Sequence, residues 1–120
     1  MTVWAIVQFQ FEGFHHYPEA PENVKFLRNL HRHLFKVEVW IEQFNDDRDI
    51  EYLTFKNWLT EKVVSPFYMC QSLAEKFGLT ETDSCETIAH KIQAYIIHNY
   101  PDRKVKVKVM EDGENGAMVE

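Results

Sequence analysis

The chain has 120 residues, of which 45% are hydrophobic and 14% aromatic, enough apolar material for one domain with a buried core. The formal net charge of −6 argues against nucleic acid or an anionic membrane surface as the main partner. Two cysteines, Cys70 and Cys85, are too few for a disulfide scaffold, and no stretch reaches the roughly 18 apolar residues of a membrane helix. We therefore expect a single soluble, cytoplasmic domain over residues 1–120.

Two segments near the N-terminus alternate apolar and polar residues, which predicts β-strands. In the first, residues 2–12, the apolar face continues to His15 if the strand does not break at Gly13. Residues 16–25 carry two prolines and predict a loop. The second strand, residues 31–42, reads HRHLFKVEVWIE and places His31 and His33 on its apolar face.

Helical spacing follows in the second half of the chain. A helix is expected from near Tyr52 to near Val64 or Ser65, where Pro66 ends it. Residues 67–79 predict a shorter helical turn, and a second long helix begins near Asp83 or Ser84 and stops before Pro101. Two final strands are expected, one over residues 105–109 with Glu111 on its apolar side and a short one over residues 117–119. The expected class is α+β, an antiparallel sheet with helices covering one face.

Three histidines are candidates for one metal site. His31 and His33 project from the same strand face, and His15 or His16 ends the neighbouring strand. Imidazole suits Zn²⁺, and three protein ligands leave a fourth position open, as in catalytic zinc sites. The alternative is that His31 and His33 lie half exposed at a strand entrance and hydrogen-bond to loop carbonyls.

Several short motifs resemble, in order, those of the 6-pyruvoyl-tetrahydropterin synthase and 6-carboxytetrahydropterin synthase family. They are FEGFH at 11–15, LHRH at 30–33, YLTFKNWL at 52–59, SCETIA at 84–89 and VKVKVME at 105–111. The resemblance implies a tunnelling fold of order ββααββ, with a four-stranded antiparallel sheet and two helices on one face. It also implies homo-oligomers, trimers or hexamers, with active sites between subunits.

The same resemblance assigns roles to individual residues. His15, His31 and His33 would bind Zn²⁺, and Glu111 would anchor a pterin ring through its N–H groups. Glu86 would be a further substrate contact, although a charge in the first turn of a helix explains it equally well.

The departures from the family concern proton transfer. The family's cysteine base precedes the HxH motif, but residues 26–29 here are Phe-Leu-Arg-Asn. The region 65–73 lacks the family's Asp-His pair, Arg32 replaces the glycine between the two ligands, and Gly13 replaces an alanine. Candidate replacement bases are Cys70, His90 and His98. The pattern, however, makes Cys70 more simply a small apolar residue near the start of a helix, and it places both histidines at the surface.

Two main functions follow. The first is a zinc-dependent lyase acting on a dihydroneopterin-triphosphate-like substrate with altered proton-transfer residues. The alternative is a catalytically inactive protein that binds a pterin, a purine or a related nucleotide on the same scaffold. A third hypothesis is a structural oligomer in which the metal only joins two strands. It does not explain why the Glu111 carboxylate would lie in the same pocket as the three histidines.

Overall fold

The structure is a computed structural model that describes residues 1–61 and 69–120, with side chains described for residues 1–61 and 73–120. Its strands are β1 (Val3–His15), β2 (His31–Gln43), β3 (Val105–Glu111) and β4 (Asn115–Val119). The helices are a 3₁₀ helix (Glu22–Arg28), α1 (Tyr52–Thr60), α2 (Met69–Phe77) and α3 (Cys85–Asn99).

The class is α+β, as predicted. The four strands form one antiparallel sheet in the order β1-β2-β3-β4, so each strand pairs with its neighbour along the chain. On the inner face Val39, Ile41, Val107 and Val109 are fully buried. The alternation of strand side chains explains this, because every second residue points towards the helices. Contacts of α1 and α2 with β1, and of α3 with β3 and β4, place these helices over the sheet.

The predicted order ββααββ differs from the structure, which has ββαααββ. The segment expected to be a helical turn is α2, a helix of 9 residues. Leu73 and Phe77 lie four residues apart and are both buried, so this helix has its own apolar face on the core. Gly78 follows with φ 70°, the left-handed conformation that commonly ends a helix.

The helix boundaries depend on local hydrogen bonds that the pattern did not resolve. α1 ends at Thr60, and the predicted end near Val64 or Ser65, together with Pro66, lies outside the described residues. The side chain of Ser84 caps α3 by accepting from the Thr87 N–H at 3.2 Å. Asp83 instead accepts from the backbone and hydroxyl of Thr80, so it stabilises the preceding loop.

An ion pair ties the loop after β2 to the start of β3. The Asp49 carboxylate accepts from Arg103 Nη1 at 2.5 Å and from the Phe44 N–H at 2.8 Å. These bonds, the one from Arg103 first, hold the pKa of Asp49 below its ordinary value. A depressed pKa stabilises the folded state above the unfolded pKa of about 3.9, and the contribution is lost as the pH falls through the folded pKa.

We therefore expect Asp49→Asn to lower the free energy of unfolding at pH 7 and to lose this difference from the wild type at strongly acidic pH. Urea unfolding of both proteins at several pH values measures it. Asp47→Asn is the control, because Asp47 is exposed and belongs to the same loop. An equal deficit at pH 7 and at strongly acidic pH would contradict the linkage.

Candidate metal centre

The pairing of β1 with β2 assembles a cluster of three histidines at one end of the sheet. His15 is directly opposite His31, and Gly13 is opposite His33, so all three imidazoles project from the inner face. The ring centroids are separated by 4.7 Å (His15–His31), 5.0 Å (His15–His33) and 4.9 Å (His31–His33). The cluster is therefore nearly an equilateral triangle, and one nitrogen from each ring lies within 4.8 Å of the other two.

The Nδ1 atom of each histidine is engaged outside the cluster. For His15 the partner is the carbonyl oxygen of Asp83 at 3.0 Å, and for His31 it is the carbonyl oxygen of Asn29 at 2.7 Å. For His33 it is a carboxylate oxygen of Asp112 at 2.6 Å. Carbonyl and carboxylate oxygens only accept, so each Nδ1 must carry the proton and donate it. In the neutral rings the lone pairs are then on the Nε2 atoms.

This donor set fits a transition-metal ion. Metal-binding histidines usually donate their second N–H to a carbonyl or carboxylate, which fixes the tautomer and orients the ring. The Nε2 atom of His33 is buried and has no hydrogen-bond partner among the described residues, which is costly unless something binds it. Three imidazole nitrogens suit Zn²⁺.

The Glu111 carboxylate lies directly against the histidines. Its Oε1 is 3.3 Å from Nε2 of His15, and its Oε2 is 3.6 Å from Nε2 of His33. The strand register explains this position, because Glu111 pairs with Phe35, two residues beyond His33 on the same face of β2. The side chain is 28% exposed, so it is half-buried at the end of β3.

Asp112, which directly follows Glu111, supports the position of His33. One carboxylate oxygen accepts from Nδ1 of His33, and the other accepts from the Leu34 N–H at 2.8 Å. The bond from His33, followed by that from Leu34, holds the pKa of Asp112 below its ordinary value. The residue has φ 54°, a left-handed conformation that asparagine and aspartate tolerate well.

Asp112→Asn should keep the backbone conformation but lower Zn²⁺ affinity by roughly tenfold, since outer-shell partners contribute about 10- to 100-fold. The amide has one acceptor oxygen in place of two, so one of the two hydrogen bonds is lost. Competition with a chromophoric chelator measures the dissociation constant. Glu114→Gln in the same exposed hairpin loop is the matched control. Equal affinities for the two variants would show that Asp112 does not orient His33.

Two departures from the family pattern have local explanations. Gly13 is opposite His33, and a Cβ at this position would meet the Phe35 ring at 2.9 Å. An alanine would therefore clash with the aromatic ring beneath the histidines. Arg32 projects to the other face of β2, where it pairs with Glu12, so its side chain does not enter the cluster.

The remaining histidines lie away from the centre. His16 was the alternative third ligand, but its Nδ1 contacts the carbonyl oxygen of Arg28 at 3.2 Å and it is not part of the cluster. His90 and His98 are exposed on α3. Glu86 is exposed in the first turn of α3, where a negative charge suits the positive end of the helix. The side chain of Cys70 lies outside the described residues.

Cys85, to which the sequence motifs gave no role, approaches the histidine cluster. It begins α3, is 6% exposed, and donates its thiol to Oε1 of Glu111 at 3.7 Å. Burial, followed by the charge of Glu111, raises the pKa of this thiol to about 12. The thiol is therefore protonated at neutral pH and is not a thiolate base.

A cavity of about 850 Å³ lies beside β1, with a mainly apolar wall that includes Phe11, Phe14 and Leu79. Of the three clustered histidines only His15 lines it. Its volume is in the range of small-molecule sites, but His31, His33 and Glu111 do not line it. We therefore place the chemistry at the histidine cluster.

No helix among residues 1–61 and 69–120 combines the length and the hydropathy that crossing a membrane requires. No protein-family model matches the chain, and comparison with curated proteins finds no significant match. The function is therefore inferred from the centre itself and from the motif resemblance.

Proposed function

We propose that this protein binds one Zn²⁺ ion through His15, His31 and His33 and acts on a dihydroneopterin-triphosphate-like substrate, in the manner of 6-pyruvoyl- and 6-carboxytetrahydropterin synthases. The observation that carries the metal assignment is the set of three Nδ1 donors. Because each is bound to an acceptor outside the cluster, the three Nε2 lone pairs are left for a common ion.

A bound Zn²⁺ ion would act as a Lewis acid that polarises oxygens on the substrate side chain. The protein's own groups would hold and orient that substrate. Glu111 is a half-buried carboxylate at the end of β3, and it can accept two N–H groups from the guanidine-like edge of a pterin. The pterin class comes from the motif resemblance, and the carboxylate beside the histidines is compatible with it.

One observation favours the second candidate function, ligand binding without turnover. Cys85 approaches the centre but remains a protonated thiol, so it does not replace the family's cysteine base. General acid–base catalysis commonly contributes about 10²- to 10⁴-fold to the rate. A centre that keeps the metal ligands, and whose neighbouring Cys85 thiol stays protonated, would hold a pterin or purine more effectively than it would convert one.

Assembly into a homo-oligomer is part of the proposal. β1 and β4 form the edges of the sheet, and an edge strand offers unpaired N–H and C=O groups to another subunit. Sedimentation analysis of the purified protein would measure this. Trimers or hexamers are expected, and a monomer at all concentrations would rule out a site shared between subunits.

Incubation of the zinc-loaded protein with dihydroneopterin triphosphate separates the two functions. The lyase proposal predicts a new pterin product that is abolished by His31→Ala. Tight binding of the intact substrate without product would support the binding protein in its place. A wild-type protein that retains far less than one zinc per chain would contradict the lyase and the histidine site, and would leave Glu111 alone as a candidate for holding the ligand.

A further inference from the structure

The position of Glu111 relative to two of the histidines has a simple metal-site interpretation. In a tetrahedral zinc site the Zn–N and Zn–O bonds are about 2.0–2.2 Å, so two ligands of the same ion are about 3.3–3.5 Å apart. The observed separations from Glu111 oxygens are 3.3 Å to His15 Nε2 and 3.6 Å to His33 Nε2. Oε1 therefore lies at a ligand-to-ligand distance from His15 Nε2, and Oε2 lies slightly beyond that distance from His33 Nε2.

We propose that Glu111 is the fourth zinc ligand of the ligand-free protein, so that the centre is a closed His₃-carboxylate site. This inference rests on the proposed histidine site and goes beyond it, because the resemblance assigns Glu111 to the substrate and not to the metal. An incoming substrate would then have to displace the carboxylate from the ion.

Two further contacts hold the carboxylate in this position. The Cys85 thiol, which is buried at the start of α3, donates to Oε1 of Glu111 at 3.7 Å. On the strand side, Asp112 follows Glu111 directly, and its N–H donates to the carbonyl oxygen of Leu34 at 2.8 Å. The end of β3 is thus fixed to β2 next to His33.

The same geometry has a second explanation that the experiment must separate. A proton on His15 Nε2 would also attract Glu111 at 3.3 Å, without any metal. In that case the carboxylate competes with the metal for His15, and neutralising it would leave the zinc affinity unchanged or raise it. If Glu111 is a ligand, neutralising it must lower the affinity.

The test compares Glu111→Gln with the wild type and with Glu114→Gln, an exposed hairpin residue whose change alters the net charge equally. We expect the zinc dissociation constant of Glu111→Gln, measured by chelator competition, to rise at least about tenfold, because even the loss of an outer-shell partner weakens metal binding by about 10- to 100-fold. Visible absorption of the Co²⁺-substituted protein should also change in Glu111→Gln and stay unchanged in Glu114→Gln.

Glu111→Asp provides a second variant. It keeps the charge and withdraws the carboxylate by one methylene, so a coordinating role predicts weaker zinc binding and a purely electrostatic role predicts wild-type binding. Wild-type zinc affinity and Co²⁺ spectra in both Glu111 variants would overturn the fourth-ligand assignment and leave the histidine site standing. A wild-type protein without zinc affinity would overturn the histidine site as well, so the two failures are distinguishable.

Discussion

Replacing His33 by alanine is expected to lower the affinity for Zn²⁺ by more than about 100-fold, since even the loss of an outer-shell partner costs about 10- to 100-fold. His33 contributes the Nε2 atom that is buried and lacks a hydrogen-bond partner among the described residues. Its removal takes away one of the three proposed imidazole ligands and one of the two donors to Asp112. Chelator competition and metal analysis after gel filtration measure the effect.

Thermal unfolding gives an independent measure of the same loss. An ion that binds only the folded state adds about 2.7 kcal/mol to the free energy of unfolding when its free concentration is 100 times its dissociation constant. Zinc should therefore raise the midpoint temperature of the wild type and have little effect on His33→Ala. His90→Ala is the control, because His90 is exposed on α3. Equal zinc stabilisation of the wild type and His33→Ala would contradict a site built on the cluster.

Replacing Phe35 by alanine is expected to reduce the free energy of unfolding by about 3–5 kcal/mol, the usual range for a buried Phe→Ala change. Phe35 is 2% exposed and lies between the core and the histidine cluster. Its ring centroid is 5.4 Å from that of Phe11, 5.3 Å from that of His15 and 5.8 Å from that of His33. The cavity left by the ring would border two of the proposed ligands, so zinc affinity should fall together with stability.

Urea unfolding and chelator competition on the same preparation test both parts of this expectation. Phe14→Ala is the matched control, because Phe14 is 51% exposed on β1 and its removal leaves no internal cavity. Phe35→Leu should recover most of the stability, since a leucine fills much of the space. A loss of stability in Phe35→Ala that is no larger than in Phe14→Ala would show that the ring does not support the core.

The strands could be predicted because their alternation is a local property. The face of β2 that carries His31 and His33 is the inner face, and Glu111 follows β3's buried residues on that same side. Continuation of the alternation through Gly13 also places His15, and not His16, in the cluster. These positions depend only on the two-residue period of a strand.

The supporting contacts could not be predicted because they join residues far apart in the chain. The partners of the His15 and His33 Nδ1 atoms are Asp83 and Asp112, 68 and 79 residues away. Nothing in the local pattern gives the register of β2 with β3, and that register decides whether a carboxylate reaches a ring. The sequence offered one indication of the contact with His33, which was the acidic residue Asp112 directly after Glu111. An aspartate at that position also fits an ordinary hairpin turn.

The close approach of residue 13 to the Phe35 ring couples two positions on neighbouring strands. A methyl group on residue 13 and a benzyl group on residue 35 compete for the same space, as the distance of 2.9 Å shows. In related chains these positions should therefore covary, with alanine at the first accompanied by a smaller side chain at the second. The combined side-chain volume at positions 13 and 35, more than either residue alone, would then determine how closely the three histidine rings can approach one another.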